Sequence, residues 1–184
     1  MNSLRFTLLA FVLALALAAV PSAHADVREA QPAVFMIESA VTTTATPATA
    51  YAALARKVGQ WWDPAHTWSG SARNLSIDPH AGGCFCEKLA GGGSVEHARV
   101  IWAEPGKNLR LEGAFGPLQD MAVSAVMTFK FVPEGAGTRI TLTYRAAGAF
   151  TMDSAKLAPI VDRVLTVQLR RLGAFADTGK MPTK

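Results

Sequence analysis

A chain of 184 residues is long enough for one domain with a substantial core. It carries 18 Lys and Arg against 14 Asp and Glu, a net charge of +4. These charges are scattered, with no basic block longer than Arg170-Arg171, which argues against a nucleic-acid binder; the mild basicity reads as solubility.

The chain opens on a leader. Arg5 is the only charged side chain before Asp26, and residues 6–20 form an apolar run rich in Leu and Ala. Pro21 ends that run, and Ala23-His24-Ala25 puts small residues at the positions a signal peptidase reads. The run of about 15 residues is shorter than the ~20 a spanning helix needs. The expectation is a signal peptide over 1–25, cleavage after Ala25, and a secreted or periplasmic mature chain 26–184 with no integral membrane segment.

Residues 26–32 are polar and read as loose. Residues 33–41 read as a strand by length and apolar content. Thr46-Pro47 opens a helix, Thr46 as N-cap and Pro47 at the first position. That helix is expected to reach about Val58 and stop at Gly59, with Tyr51, Leu54 and Val58 on one face. An aromatic loop follows, with Trp61, Trp62, His66 and Trp68. Six short strands come next, over 74–78, 84–89, 94–103, 109–112, 123–132 and 138–146, separated by Gly- and Pro-rich turns; this is an antiparallel meander. Alternation is clearest at Ile140, Leu142 and Tyr144, against Thr141, Thr143 and Arg145. The last element is a long helix whose stripe runs through Leu157, Val161, Val164, Leu165, Leu172 and Phe175. Asp153 or Ser154 caps it, Pro159 marks its first turn or kinks it, and 177–184 reads as a frayed tail.

Strand, helix, six strands and a long amphipathic helix make an α+β domain: one curved antiparallel sheet of about seven strands gripping the C-terminal helix, the helix-grip fold. Val34 to Ile37, Thr46-Pro47 with its Ala-rich helix, and Trp61-Trp62 resemble the opening of the SRPBCC superfamily. That superfamily includes START lipid-transfer domains, the birch-pollen-allergen proteins, polyketide cyclases and heat-shock ATPase activators. Gly82-Gly83-Cys84-Phe85-Cys86-Glu87, Val95-Glu96-His97, Leu109-Arg110-Leu111 and Gly116-Pro117-Leu118-Gln119 resemble an exported bacterial branch of it. The resemblance covers about 33–176. It implies a cavity between sheet and C-terminal helix, open at one end, for a small hydrophobic or amphipathic ligand.

The cavity is expected to be lined by Phe85, Leu109, Leu111, Phe129, Ile140, Leu142 and Tyr144 from the strands and by Val161, Val164 and Leu165 from the helix. Trp61 or Trp62 stands near its mouth; the same tryptophans could equally be packing beneath the helix. Gly113, Ala114 and Ala125 would leave space in it. Glu87 shares a strand face with Phe85 and Leu89. Inward, its pKa would rise and it could act as acid, base or anchor, with His97 or Arg99 as polar partner; outward, it would be a solvated Glu beside Lys88.

Cys84 and Cys86 read as packed thiols, a strained redox pair or half a metal site. A regular strand holds i and i+2 about 6.6–6.8 Å apart, the far edge of the disulfide range; the expectation is that they are free or weakly paired. Cys84 and Cys86 with His66 and His97 match no zinc spacing. Gly91-Gly92-Gly93 is a hairpin rather than a phosphate cradle. No cofactor, metal or nucleic-acid partner is expected. Three functions fit in descending order: a carrier for a small hydrophobic molecule, a cyclase- or isomerase-type enzyme using Glu87 and His97, and a co-chaperone resembling the ATPase activators.

Overall fold

The computed structural model describes residues 33–181. The expected leader with its cleavage site, and residues 26–32, lie outside the described residues. Strands β1 (Ala33–Thr43), β2 (Leu75–Ile77), β3 (Cys84–Lys88), β4 (Ser94–Glu104), β5 (Asn108–Glu112), β6 (Val123–Glu134) and β7 (Gly137–Gly148) form a single sheet. Its order is β1-β7-β6-β5-β4-β3-β2, and every neighbouring pair is antiparallel. Helix α1 (Pro47–Trp61) follows β1, and the long α2 (Ser154–Thr178) closes the chain against β1 and α1. This is the α+β helix-grip architecture. No helix among the described residues is long and apolar enough to cross a membrane.

Local chemistry explains most boundaries. Thr46 caps α1 through its hydroxyl, which accepts from the Thr49 amide at 3.2 Å, and Pro47 takes the first turn. Asp153 caps α2 in the same way, from the Ala155 amide at 2.7 Å. Helix α2 runs continuously past Pro159, which therefore stands inside it and does not begin it. Gly59 does not end α1. The helix bends at Lys57 and continues to Trp61. A Cβ on Gly59 would stand 2.9 Å from the Ala72 carbonyl oxygen, so glycine serves the close approach of the 72–75 segment.

The start of the expected frayed tail is tied down. The Asp177 carboxylate accepts from the Thr43 hydroxyl at 2.5 Å, the Thr44 amide at 2.6 Å and the Thr44 hydroxyl at 2.8 Å. Burial pushes this carboxyl up, but those bonds outweigh it and hold it below its usual value. Gly179 then ends α2 in a left-handed conformation.

Cys84 and Cys86 form a disulfide; of the three readings the paired one holds, and the packed free thiols do not. Their Cα atoms are 5.4 Å apart, closer than a regular strand allows. The register slips here: Phe85 faces Ala98 while Cys86 faces Glu96, so His97 is an extra residue in β4. The cystine thus lies opposite the bulge, where regular strand pairing and spacing no longer hold.

Candidate functional site

The bulge that leaves His97 unpaired also aims it. In regular β4 alternation His97 and Ala98 would point to opposite faces, yet both are buried. Gly113 supports this: a Cβ there would run into the His97 carbonyl oxygen and Ala98. Its small size serves strand approach and does not enlarge a cavity.

His97 meets Glu87. The Glu87 side chain is fully buried on the inner face beside Phe85, as alternation from Phe85 implies. Its Oε2 accepts from His97 Nε2 at 2.9 Å and from the Trp68 amide at 3.1 Å; its Oε1 accepts from the Ser69 amide at 2.5 Å. Burial would push this carboxyl up, as expected from an apolar site, but the bonds from Ser69, Trp68 and His97 win and hold it below the usual glutamate value. The expected rise is thus corrected: the pocket wall supplies enough donors to keep the carboxylate ionised. An ionised acceptor places the proton on His97 Nε2 and leaves Nδ1 as the other ring nitrogen. Arg99 takes no part; it lies outside, bonded to Glu96 at 2.6 Å and to the Gly82 carbonyl at 3.0 Å.

In front of His97 lies a cavity of about 430 Å³ between the sheet and the N-terminal half of α2. Trp62, Phe85, Tyr144, Val161, Val164 and Leu165 line it, as the sequence suggested. Glu87 is not among its walls; His97 is the member of the pair that faces it. The Trp62 indole donates to the His66 carbonyl at 3.0 Å and packs edge-on against Phe85 at 5.5 Å. Arg171 fixes the end of α1 behind it, its Nε donating to the Trp61 carbonyl at 2.6 Å. Trp68 stands at the rim, 54 % exposed.

Six other expected lining residues are not in the walls. Leu109, Leu111, Phe129, Ile140 and Leu142 are at most 2 % exposed and belong to the solid core. Trp61 is fully buried behind Trp62, its indole donating to the Ala53 carbonyl at 2.9 Å. The physical reason is that α1 and the C-terminal half of α2 fill that end of the sheet. Ala125 is core as well, and Ala114 only packs against it.

Sequence reasoning missed Phe115, Leu118 and Met121, which come from the long β5–β6 connection and its 3-10 turn Gly116–Met121. An aromatic residue beside Gly-Pro, in a connection too long for a hairpin, was the available signal. Phe115 is central: its ring centroid lies 5.7 Å from Phe85, 6.3 Å from His97 and 6.1 Å from Tyr144. Burial pushes the Tyr144 phenol up to about 12, with the Phe115 backbone pulling weakly the other way, yet the hydroxyl makes no hydrogen bond of good geometry.

Cys84, Cys86, His66 and His97 are not gathered into one cluster among the described residues: the cysteines are bonded to each other and His97 to Glu87. Among the described residues the metal-type cluster is Cys84, Cys86 and Glu96, whose sulfurs are joined to each other and offer no thiolate.

No family model matches the sequence, and no curated protein does. Solved structures do share the fold. A putative uncharacterized protein from Rhizobium leguminosarum aligns at TM-score 0.59 and 16 % identity, over 79 % of this chain and 96 % of its own. The Aha1 dimer from Colwellia psychrerythraea aligns at 0.58 and 17 %, over 79 % and 98 %. DynU16, a putative protein of the dynemicin biosynthetic locus, aligns at 0.54 and 16 %, over 79 % of this chain and 48 % of its own. At such identities the likeness establishes the fold alone.

Proposed function

We propose that this protein is an exported binding or carrier protein for a small hydrophobic or amphipathic molecule held between the sheet and α2. The carrying observation is the cavity of about 430 Å³, apolar except for a few polar groups, among them His97 backed by Glu87. A concave apolar site with few convergent polar groups is the usual form of a small-molecule site. Its volume lies within the ~300–1,000 Å³ range of such sites. The proposed location outside the cytoplasm rests on the leader-like residues 1–25. Native mass spectrometry of protein purified without detergent from its own host tests the reading. One small molecule per chain is the expected result. A bare chain that, after refolding, also fails to bind an apolar dye saturably would remove the proposal.

A second reading, a cyclase- or isomerase-type enzyme, is favoured by one observation. A carboxylate that holds an imidazole in one tautomer is how general bases are oriented. In that reading His97 meets the substrate and Glu87 is the positioning residue. Turnover lost in Glu87→Gln with ligand affinity kept would favour it; affinity and any turnover both unchanged would remove it.

A further inference from the structure

We infer that the cavity selects a neutral aromatic molecule bearing a hydroxyl group, which donates to His97 Nδ1 while Glu87 fixes the imidazole tautomer. This deepens the binding reading and rests on it. Glu87 Oε2 accepts a hydrogen bond from His97 Nε2 at 2.9 Å, and a ring that carries its one proton there offers Nδ1 as an acceptor. No hydrogen bond to Nδ1 is made by any described residue, although the side chain is only 6 % exposed. An acceptor without a protein partner, on a residue in the wall of an apolar cavity, calls for a donor, and a ligand hydroxyl supplies one.

Charge narrows the class. The cavity walls contain no Lys, Arg, Asp or Glu. A ligand carboxylate finds no cation in these walls, and the Glu87 carboxylate 2.9 Å behind His97 would repel it. A ligand cation fares no better, because the carboxylate oxygens are occupied by Trp68, Ser69 and His97. The walls narrow it further. Trp62, Phe85 and Phe115 present ring surfaces around the space in front of His97, which suits a flat aromatic body.

Calorimetric titration of the purified protein with 1-naphthol, 1-methylnaphthalene and 1-naphthoate tests this. 1-Naphthol should bind about tenfold more tightly than 1-methylnaphthalene, the effect of one hydrogen bond at a buried acceptor. The naphthoate should bind most weakly. The naphthol preference should collapse in His97→Phe and shrink in Glu87→Gln, the milder change that keeps the test usable if His97→Phe does not fold. Equal affinity for the naphthol and the methyl compound would overturn the inference and leave the binding reading standing. So would tightest binding of the naphthoate, or a preference unmoved by both variants. Failure of all three to bind would overturn the inference too; the binding reading falls only if the chain is also bare in native mass spectrometry and binds no apolar dye.

Discussion

The two halves of α2 meet the same sheet and do different things. From Gln168 to Ala176 the helix is buried at six of nine positions, against β1 and α1, with Leu169 and Leu172 at 1 % and 0 % exposure. From Leu157 to Leu165 it lines open space, and Ile160 there is 49 % exposed. The difference comes from what stands opposite. At the closed end α1 fills the concave face of the sheet. At the open end the filler is missing, and Phe115, Trp62 and the Glu87–His97 pair form walls instead. Tight packing is concentrated in one half of this interface and the cavity in the other.

The largest expected effect probes the exception, a structural carboxylate behind the open end. Glu87→Ala strands two amides and an imidazole in the interior and should cost about 3–5 kcal/mol, since each buried donor left unsatisfied costs about 1–3 kcal/mol; chemical denaturation would show it. A loss within experimental error of zero would mean that Glu87 does not brace the wall. Next come matched truncations. Leu172→Ala should cost about 2–5 kcal/mol because it opens a cavity in packed core. Val164→Ala, which merely enlarges an existing space, should cost below about 1 kcal/mol. Comparable losses at the two positions would erase the contrast between the halves.

Matched enlargements give a smaller effect. A Cβ on Gly173 stands 3.1 Å from Val41 Cγ2, so Gly173→Val should overpack the closed end at about 1–3 kcal/mol. Val164→Phe has room to enter and should leave the melting temperature within a few degrees. The smallest effect is pH dependence. Glu87 and Asp177 both hold their protons more weakly folded than unfolded. Their stabilisation is therefore complete above the unfolded values of 4.5 and 3.8 and is lost as pH falls through the lower folded ones. Glu87→Gln should flatten the acid limb of the stability curve. An unchanged limb in that variant would contradict the depressed carboxyl.

The closed end was readable from the sequence and the open end only in part. Alternation through Ile140, Leu142 and Tyr144 gave β7 its inner face, and Thr46-Pro47 gave α1 its start. Those signals are local, with fixed periods and caps. Glu87 could be placed inward for the same reason. The His97 bulge could not be read, because one extra residue in β4 is set by pairing with β3 and leaves no mark in a single strand. The disulfide was misjudged through the same blind spot, since the regular-strand spacing no longer holds at a bulge. The purpose of Gly59 and Gly113 also depends on which backbone passes nearby, which a sequence does not state. Leu109 and Ile140 were assigned to the cavity because inward-facing strand residues look alike until the position of α1 is known.

Titration of an apolar fluorescent probe such as Nile red into the wild-type protein and Val164→Phe tests the central claim most directly. The account predicts saturable binding of one probe per chain by the wild type and its loss in a Val164→Phe protein that remains folded. Absence of saturable binding by the wild type, or equal binding by the filled variant, would contradict it.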